Sequence, residues 1–280
     1  MATARLLLRT ERYTEGVVVD RDGTIFFSMT NLGTISRYAP GAEAAEVWAH
    51  VPDSNGHKID ADGTHVVMSS TGAILRLDAS GRVCDVVASR VEGRWLTYPN
   101  DVWLDPQRGG FYITDSGYKS TPKTMPSDPQ GRVYRVEPDG TVRQVADGIA
   151  YSNGVALSRD GATLYVSEST ARRLWAYRVH DNGDLGERML LADVPAGNED
   201  TVPDGLTVGP GDRLYLANHG DREILVYAPH GTLERRLDAG NKAASHVAFS
   251  PDGGTMYVSG GIDDEQGAGG IFAVSIVAGS

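Results

Sequence analysis

The sequence predicts an all-β protein, a six-bladed β-propeller with four antiparallel strands in each blade. A polar residue, a short apolar run and a turn recur six times at intervals of roughly 40 to 53 residues, which matches the repeat length of propeller blades. Further short runs rich in Val, Ile, Tyr and Leu follow each start, separated by Asp-Gly and similar turns, as in antiparallel strands. No segment keeps a helical period of 3.6 residues.

The six units share one opening pattern, in which a polar residue precedes the first apolar run. The openings are Glu15–Asp20, Asn55–Asp60, Asn100–Asp105, Asn153–Ser158, Asp204–Gly209 and Ser245–Ser250. Later runs supply the remaining strands of each unit; in the fourth unit they are ATLYVSE, RLWAYRV and ERMLLADV. Each unit therefore predicts one four-stranded blade.

The two ends of the chain predict how the ring closes. The sixth unit ends one strand short, and the N-terminal run ARLLLRT lies before the first unit with no other partner. Pairing this run into the last blade would remove an exposed strand edge. We therefore expect residues 1–280 to form one propeller domain. The alternative is a β-sandwich or a pair of small β domains, but no Pro/Ser-rich linker divides the chain.

Composition excludes several classes of protein. The 37 acidic and 26 basic residues give a net charge of −11, which argues against a surface for nucleic acid or anionic membrane. No apolar run approaches the ~20 residues of a membrane helix, and the N-terminal apolar run is too short for a signal peptide. A single cysteine, Cys84, excludes an internal disulfide. We expect a soluble, cytoplasmic protein that binds neither nucleic acid nor membrane, as a monomer or small homo-oligomer.

The first residue of each inner strand predicts a cation site on the propeller axis. These residues are Glu15, Asn55, Asn100, Asn153, Asp204 and Ser245. Oxygen-bearing side chains that converge would repel one another or stay unpaired without a cation. Ca²⁺ accepts such ligands, whereas zinc prefers His and Cys, which this ring lacks. Ca²⁺ is the expected ion, with Mg²⁺, Mn²⁺ or Zn²⁺ as alternatives in vitro; the competing interpretation is that these residues only form turns.

The next position in each inner strand points to the catalytic groups. It is glycine in four units, which would leave room for a ligand and for close backbone approach. The exceptions are Asp101 and His246. Asp101 could take a proton from a metal-activated water or attack directly, and His246 could bind substrate or stabilise a transferred proton. His246 could equally be a hydrogen-bonded histidine of the channel wall, and His57 is expected to face away from the channel.

Four ordered motifs resemble those of the SMP-30/gluconolactonase/luciferin-regenerating-enzyme family. They are Thr14–Gly16, Pro99–Asp101, Ser152–Ser158 and Pro203–Gly205. The segment Leu164–Leu174 is similar to the bacterial Drp35-type lactonase branch. The resemblance covers nearly the whole chain and implies a six-bladed propeller with one axial metal ion, usually Ca²⁺, in a family with many lactone hydrolases.

The resemblance also implies roles for single residues. The metal ligands would be Glu15, Asn153 and Asp204. Asn100 would be a further ligand or a substrate contact, and Asp101 the catalytic acid/base. Animal gluconolactonases carry an arginine three residues before that aspartate, where this chain has Tyr98. That departure favours a less polar substrate in contact with Tyr98 over a sugar lactone.

The third unit contains an unusually long loop, residues 116–131. Its three prolines exclude a strand or helix interior. We expect a lid over the channel entrance, the alternative being a solvated surface loop. Tyr118 is a candidate substrate contact and Met125 a candidate wall residue. Lys119 and Lys123 could attract an anionic substrate.

The sequence therefore predicts a metal-dependent hydrolase that opens lactones or related esters, with Asp101 as acid/base. It contains no Gly-x-Ser-x-Gly elbow, His-Glu-x-x-His zinc motif or phosphate-binding loop. One alternative uses the same metal for organophosphate hydrolysis, isomerisation or biosynthetic tailoring. Another is a non-catalytic, calcium-stabilised propeller that binds a partner protein.

Overall fold

The computed structural model describes residues 3–263 and 265–276 and confirms the six-bladed β-propeller. Six antiparallel sheets of four strands surround a central axis, and a two-stranded hairpin lies between blades 2 and 3. The described residues include short 3₁₀ turns at Thr30–Leu32 and Pro210–Asp212. They contain no helix of the length and apolar character that a membrane span requires.

In blades 1 to 5 the strands follow one another in chain order from the axis outward. The first strand is β1 (Arg5–Thr10). Blade 1 consists of β2 (Glu15–Val19), β3 (Ile25–Met29), β4 (Thr34–Tyr38) and β5 (Glu46–His50). Blade 2 consists of β6 (Ser54–Ile59), β7 (His65–Ser69), β8 (Ala73–Leu77) and β9 (Val83–Ala88). The hairpin consists of β10 (Arg90–Val91) and β11 (Arg94–Trp95). Blade 3 consists of β12 (Pro99–Leu104), β13 (Phe111–Asp115), β14 (Gly131–Val136) and β15 (Val142–Ile149). Blade 4 consists of β16 (Ser152–Leu157), β17 (Thr163–Glu168), β18 (Arg173–Val179) and β19 (Leu185–Asp193). Blade 5 consists of β20 (Val202–Val208), β21 (Leu214–His219), β22 (Glu223–Tyr227) and β23 (Leu233–Asp238). Blade 6 contains β24 (Ala244–Phe249), β25 (Thr255–Ile262) and β26 (Glu265–Ser275).

The N-terminal strand closes the ring, as the sequence predicts. Strand β1 pairs antiparallel with β26 and becomes the outermost strand of blade 6. Leu7 and Leu8 of β1 pack against the buried residues Phe27 and Ile271. The last blade therefore joins the first strand of the chain, β1, to the last, β26. The prediction of one domain over residues 1–280 includes 1–2, 264 and 277–280, which lie outside the described residues, and it stays a prediction.

The core lies between neighbouring blades rather than within any one of them. Between blades 3 and 4, Tyr112 and Val133 pack against Val155 and Val166, and all four side chains are fully buried. Burial of each such side chain contributes roughly 1.5–3 kcal/mol. Alternating apolar residues on both faces of a blade are thus required, because each face contacts a different neighbour.

Every inner strand has an irregular register at its first residues. In blade 1 the shift lies between Glu15 and Val18, and in blade 4 between Ser152 and Val155. Such a bulge turns side chains away from the regular pleat. The glycines that follow the axial residues sit against the next inner strand: a Cβ on Gly154 would lie 2.7 Å from the carbonyl oxygen of Asp204. The close backbone approach is confirmed, but the predicted ligand space at these glycines is wrong because neighbouring backbone fills it.

Candidate active site

Three of the predicted metal ligands meet where the inner strands begin. Burial and the neighbouring charge of Asp204 raise the pKa of Glu15 well above its usual value. Burial raises the pKa of Asp204 to about 8; the amide of Asn153 opposes this shift and the charge of Asp101 adds to it. The structure therefore brings Glu15, Asn153 and Asp204 together on the axis, although β2, β16 and β20 belong to three different blades.

The chemistry of this group fits a hard divalent cation. Within residues 3–263 and 265–276, neither Glu15 nor Asp204 forms a salt bridge with a Lys or Arg side chain. The described part of the chain also holds no cluster of three or more His, Cys, Asp or Glu side chains suited to a metal. The axial group instead combines two carboxylates with asparagine amides. Oxygen donors of these two kinds suit Ca²⁺, which would relieve the repulsion between the carboxylates.

Asn100 and Asn153 open inner strands of adjacent blades and are both largely buried. Each side-chain amide donates a hydrogen bond of 3.1 Å to a serine hydroxyl, from Asn100 to Ser116 and from Asn153 to Ser169. Asn100, predicted as a further ligand or substrate contact, thus stands beside Asp101 at the same end of the propeller. Both asparagines are held from the side of their own blade.

Asp101 is a buried carboxylate held by backbone amides. Its Oδ1 accepts a 2.8 Å hydrogen bond from the N–H of Val102, and its Oδ2 accepts one of 3.0 Å from the N–H of Val155. His246 Nε2 lies 3.4 Å from Oδ2. Burial alone would raise the pKa of Asp101, but His246, Lys58 and the Val155 amide together hold it below its usual value. Asp101 is therefore ionised at neutral pH, with the His246 ring beside it, and the roles predicted for both residues stay predictions.

Lys58 is a residue near Asp101 that the sequence analysis did not single out. Its Nζ lies 5.0 Å from the centroid of the Trp103 ring. Burial lowers the pKa of Lys58, and the charge of Asp101 opposes that shift. The signal was available, because Lys58 comes two residues after the glycine position of β6 and alternate residues of a strand share a face. His57 faces away from the channel, as predicted, and its Nε2 lies 2.8 Å from His65 Nδ1.

Three tyrosines surround the axial carboxylates. Tyr98 was predicted as a substrate contact, and its ring lies 6.4 Å from that of Tyr151. The pKa values of Tyr13, Tyr98 and Tyr151 are all raised by burial and further by the charges of Glu15 and Asp204. Tyr13 and Tyr151 were missed, yet each tyrosine stands two residues before its axial residue. That recurrence was the available signal.

The 116–131 loop lies at the end of the propeller where the axial residues stand. It follows β13, whose last residue Asp115 pairs with Pro99 at the start of β12. Lys123 Nζ reaches to 3.5 Å from Asp200 in the segment before blade 5. The two segments border a cavity of about 380 Å³ that His219 also lines.

Tyr118, predicted as a substrate contact, has its hydroxyl engaged inside the 116–131 loop. The hydroxyl donates to the carbonyl oxygen of Asp128 at 2.8 Å and accepts a hydrogen bond from the N–H of Gln130 at 3.2 Å. Met125 is 54% exposed. The tyrosine thus fixes the shape of the loop, and the roles of Tyr118 and of the loop as a lid stay predictions.

Comparison with known proteins agrees with the arrangement of these motifs. A family model described as "SMP-30/Gluconolactonase/LRE-like region" matches residues 13–261. The chain belongs to this family. The match begins two residues before Glu15 and includes every inner strand, so the family resemblance predicted from the four motifs is confirmed.

Relatives within the SMP-30/gluconolactonase/LRE-like family include named lactonases. Lactonase drp35 of Staphylococcus aureus (strain MW2) is 31% identical over 274 residues, which cover 91% of this chain and 80% of the relative. A gluconolactonase of Zymomonas mobilis is 31% identical over 220 residues, covering 74% of this chain and 61% of the relative. The predicted similarity to the Drp35-type branch is therefore confirmed.

Solved structures of the family share the fold. A gluconolactonase from Xanthomonas campestris superposes with a TM-score of 0.83 at 25% identity, covering 99% of this chain and 90% of the other. A luciferin-regenerating enzyme gives a TM-score of 0.83 at 19% identity, covering 99% of this chain and 96% of that one. The second similarity shows the propeller fold alone.

Proposed function

We propose that this protein is a hydrolase that opens lactones or related esters with the help of one axial divalent cation. Glu15, Asn153 and Asp204 would hold the cation, with Ca²⁺ as the expected ion, and Asn100 would add a ligand or contact the substrate. The observation that carries the proposal is the ionised, amide-held carboxylate of Asp101 next to two carboxylates that lack a cationic partner among the described residues. The printed names of two relatives, lactonase and gluconolactonase, support the substrate class.

The mechanism assigns proton transfer to Asp101. When bound, the cation would supply Lewis-acid polarisation of the lactone carbonyl and stabilise the developing oxyanion. Asp101 accepts a proton from the water whose oxygen attacks the carbonyl carbon. The carbon–oxygen bond of the ring then breaks, and Asp101 returns the proton to the departing ring oxygen. The product is a hydroxy acid, and Asp101 is again a carboxylate.

The surroundings of Asp101 suit this role. The amides of Val102 and Val155 hold both carboxylate oxygens, so the base keeps one orientation during turnover. His246, at 3.4 Å, stabilises the carboxylate and is placed to share the transferred proton.

The substrate lies against the tyrosines in this proposal. Asp115 fixes the segment of Tyr98, because its Oδ1 accepts a 2.9 Å hydrogen bond from the Tyr98 N–H. Tyr98 and Tyr151 give the site aromatic walls, which favour a lactone with an apolar substituent over a polyhydroxylated sugar lactone.

The test compares substrate classes with and without the cation. The wild-type protein is assayed with gluconolactone, an alkyl-substituted γ-lactone, an acyclic ester and a phosphotriester. We expect lactone hydrolysis that EGTA abolishes and added Ca²⁺ restores. Asp101→Asn should lower kcat by about 10²–10⁴-fold while still binding Ca²⁺, whereas the exposed control Asp85→Asn should keep the wild-type rate.

Three results would count against the proposal. Wild-type turnover by Asp101→Asn would remove the assigned acid/base. Hydrolysis of the phosphotriester alone would favour the organophosphate alternative. Calcium binding without turnover of any substrate would favour a calcium-stabilised binding propeller.

A further inference from the structure

Three axial asparagines make the same contact in three successive blades. In each, the side-chain Nδ2 faces the hydroxyl of a serine that follows the second strand of the same blade. The pairs are Asn55–Ser70 at 3.5 Å, Asn100–Ser116 at 3.1 Å and Asn153–Ser169 at 3.1 Å. Turn formation does not require this repeated contact.

The proton of each serine hydroxyl is already used elsewhere. Each hydroxyl donates to a backbone carbonyl oxygen just before the axial residue of the next blade. The bonds are Ser70 to Pro99 at 3.1 Å, Ser116 to Ser152 at 2.8 Å and Ser169 to Pro203 at 2.7 Å. A hydroxyl has one proton, so towards the asparagine it can only accept.

This directionality fixes the orientation of the asparagine amides. Only the NH₂ group can face a hydroxyl that accepts, so the carbonyl oxygen of the same amide must face away from the serine. Within the described part of the chain, no hydrogen bond ends on Oδ1 of Asn100 or Asn153. These oxygens therefore have no hydrogen-bond donor among the described residues and are free to bind a cation. The Asn153 amide stands beside the axial carboxylates, because a hydrogen bond from its NH₂ group lowers the pKa of Asp204.

We propose that Ser116 and Ser169 are positioning residues that hold the carbonyl oxygens of Asn100 and Asn153 towards the axial cation. This inference rests on the proposed function, because it assumes that a cation binds there. Without the serine hydroxyl, the amide can rotate by half a turn and present its NH₂ group to the cation, which repels it. Partners of this kind set the orientation of metal ligands in other proteins.

Blade 4 itself supplies a matched control. Ser167 is fully buried, like Ser169, and donates a 2.7 Å hydrogen bond to the carbonyl oxygen of Asp204 in blade 5. Among the described residues, Ser167 forms no hydrogen bond with an asparagine side chain. Loss of its hydroxyl removes a bond between the same two blades without freeing an amide.

The first experiment is calcium titration calorimetry on the full chain. Ser169→Ala and Ser116→Ala should each bind Ca²⁺ about 10–100-fold more weakly than wild type, whereas Ser167→Ala should stay within about twofold. Thermal unfolding in EGTA should show similar decreases in Tm for Ser169→Ala and Ser167→Ala. Wild-type affinity in Ser169→Ala, or an equal loss in Ser167→Ala, would overturn the inference.

A second pair of variants separates orientation from general weakening of the site. In Asn153→Asp, a carboxylate presents an oxygen to the cation in either rotamer. Adding Ser169→Ala to Asn153→Asp should therefore change calcium affinity by less than about twofold. A loss of tenfold or more in that background would overturn the assigned role.

The outcomes also distinguish this inference from the proposed function. If the wild-type protein binds no Ca²⁺, both the proposed calcium site and the positioning role of the serines are refuted. If the wild type binds Ca²⁺ and the serine variants bind it equally well, only the serine role is refuted. Both outcomes are measured as calcium binding and require no assay of lactone turnover.

Discussion

His57 and His65 of blade 2 share a hydrogen bond away from solvent. His57 is fully buried and His65 is 3% exposed. Burial, together with the neighbouring charge of His65, lowers the pKa of His57 well below its usual value. Burial lowers the pKa of His65 to about 4, against a small opposing effect of Asp20. Both imidazoles are therefore neutral in the folded protein at a pH where an exposed histidine is charged.

This pair predicts an acid-dependent loss of stability. In the unfolded chain, His57 and His65 have pKa values of about 6.5 and become protonated below that pH, whereas in the folded chain they stay neutral. The free energy of unfolding therefore falls as the pH drops towards 4. Between pH 7.5 and pH 5, His65 alone should account for roughly 1–2 kcal/mol. Urea unfolding should show a smaller loss for His65→Gln, while the exposed control His230→Gln should follow wild type. Equal losses in wild type and His65→Gln would contradict this origin.

Single residues differ in how far the sequence reveals their roles. Asp101 and His246 could be singled out because they interrupt a position that is otherwise glycine. Their partners in other blades could not, since one of the two amides that hold Asp101 belongs to Val155 in the next blade. The serines were likewise missed, because Ser169 acquires its directionality only from the carbonyl of Pro203 in blade 5. Contacts between blades depend on packing that no local pattern contains.

At the scale of the strand, close packing of the six inner strands places the axial residues. A Cβ on Gly154 would collide with the backbone of Leu206 and lie 2.7 Å from the carbonyl oxygen of Asp204. The neighbouring strand would have to move, and the axial residues would move with it. The glycine positions therefore couple stability to the geometry of the site.

A substitution tests this coupling. Gly154→Ala should lower the free energy of unfolding by more than about 2 kcal/mol, because rigid backbone occupies the space that the methyl group needs. Gly254→Ala should stay within about 0.5 kcal/mol, since a Cβ there meets its nearest atom, on Asp252, at an ordinary 3.4 Å. Urea unfolding measures both variants, and a stable Gly154→Ala protein would show that the inner strands are not packed in this way.

Strand positions were predictable where apolar residues alternate over several residues. The run RLWAYRV, for example, coincides with β18, Arg173–Val179. The hairpin of β10 and β11 was not predicted, because strands of two residues are too short to show alternation. A local contact accompanies it, with the Arg90 guanidinium 3.6 Å from the centroid of the Trp95 ring.

At the scale of the whole molecule, counting strands was enough to predict the closure of the ring. An unpaired edge in the last blade is unfavourable, and one unassigned apolar run could cover it. Counting strands could not predict the direction of the 116–131 loop. Its contact through Lys123 to Asp200 joins segments of different blades, and only the assembled ring brings them together.

Anomalous diffraction from crystals grown with Ca²⁺ would locate a cation that joins three blades at the axis. We expect one anomalous peak per chain, about 2.3–2.6 Å from side-chain oxygens of Glu15, Asn153 and Asp204. Crystals of Asp204→Ala grown in the same way should lack that peak. If wild-type crystals from a preparation that hydrolyses lactones show no peak on the axis, the proposed axial cation is wrong.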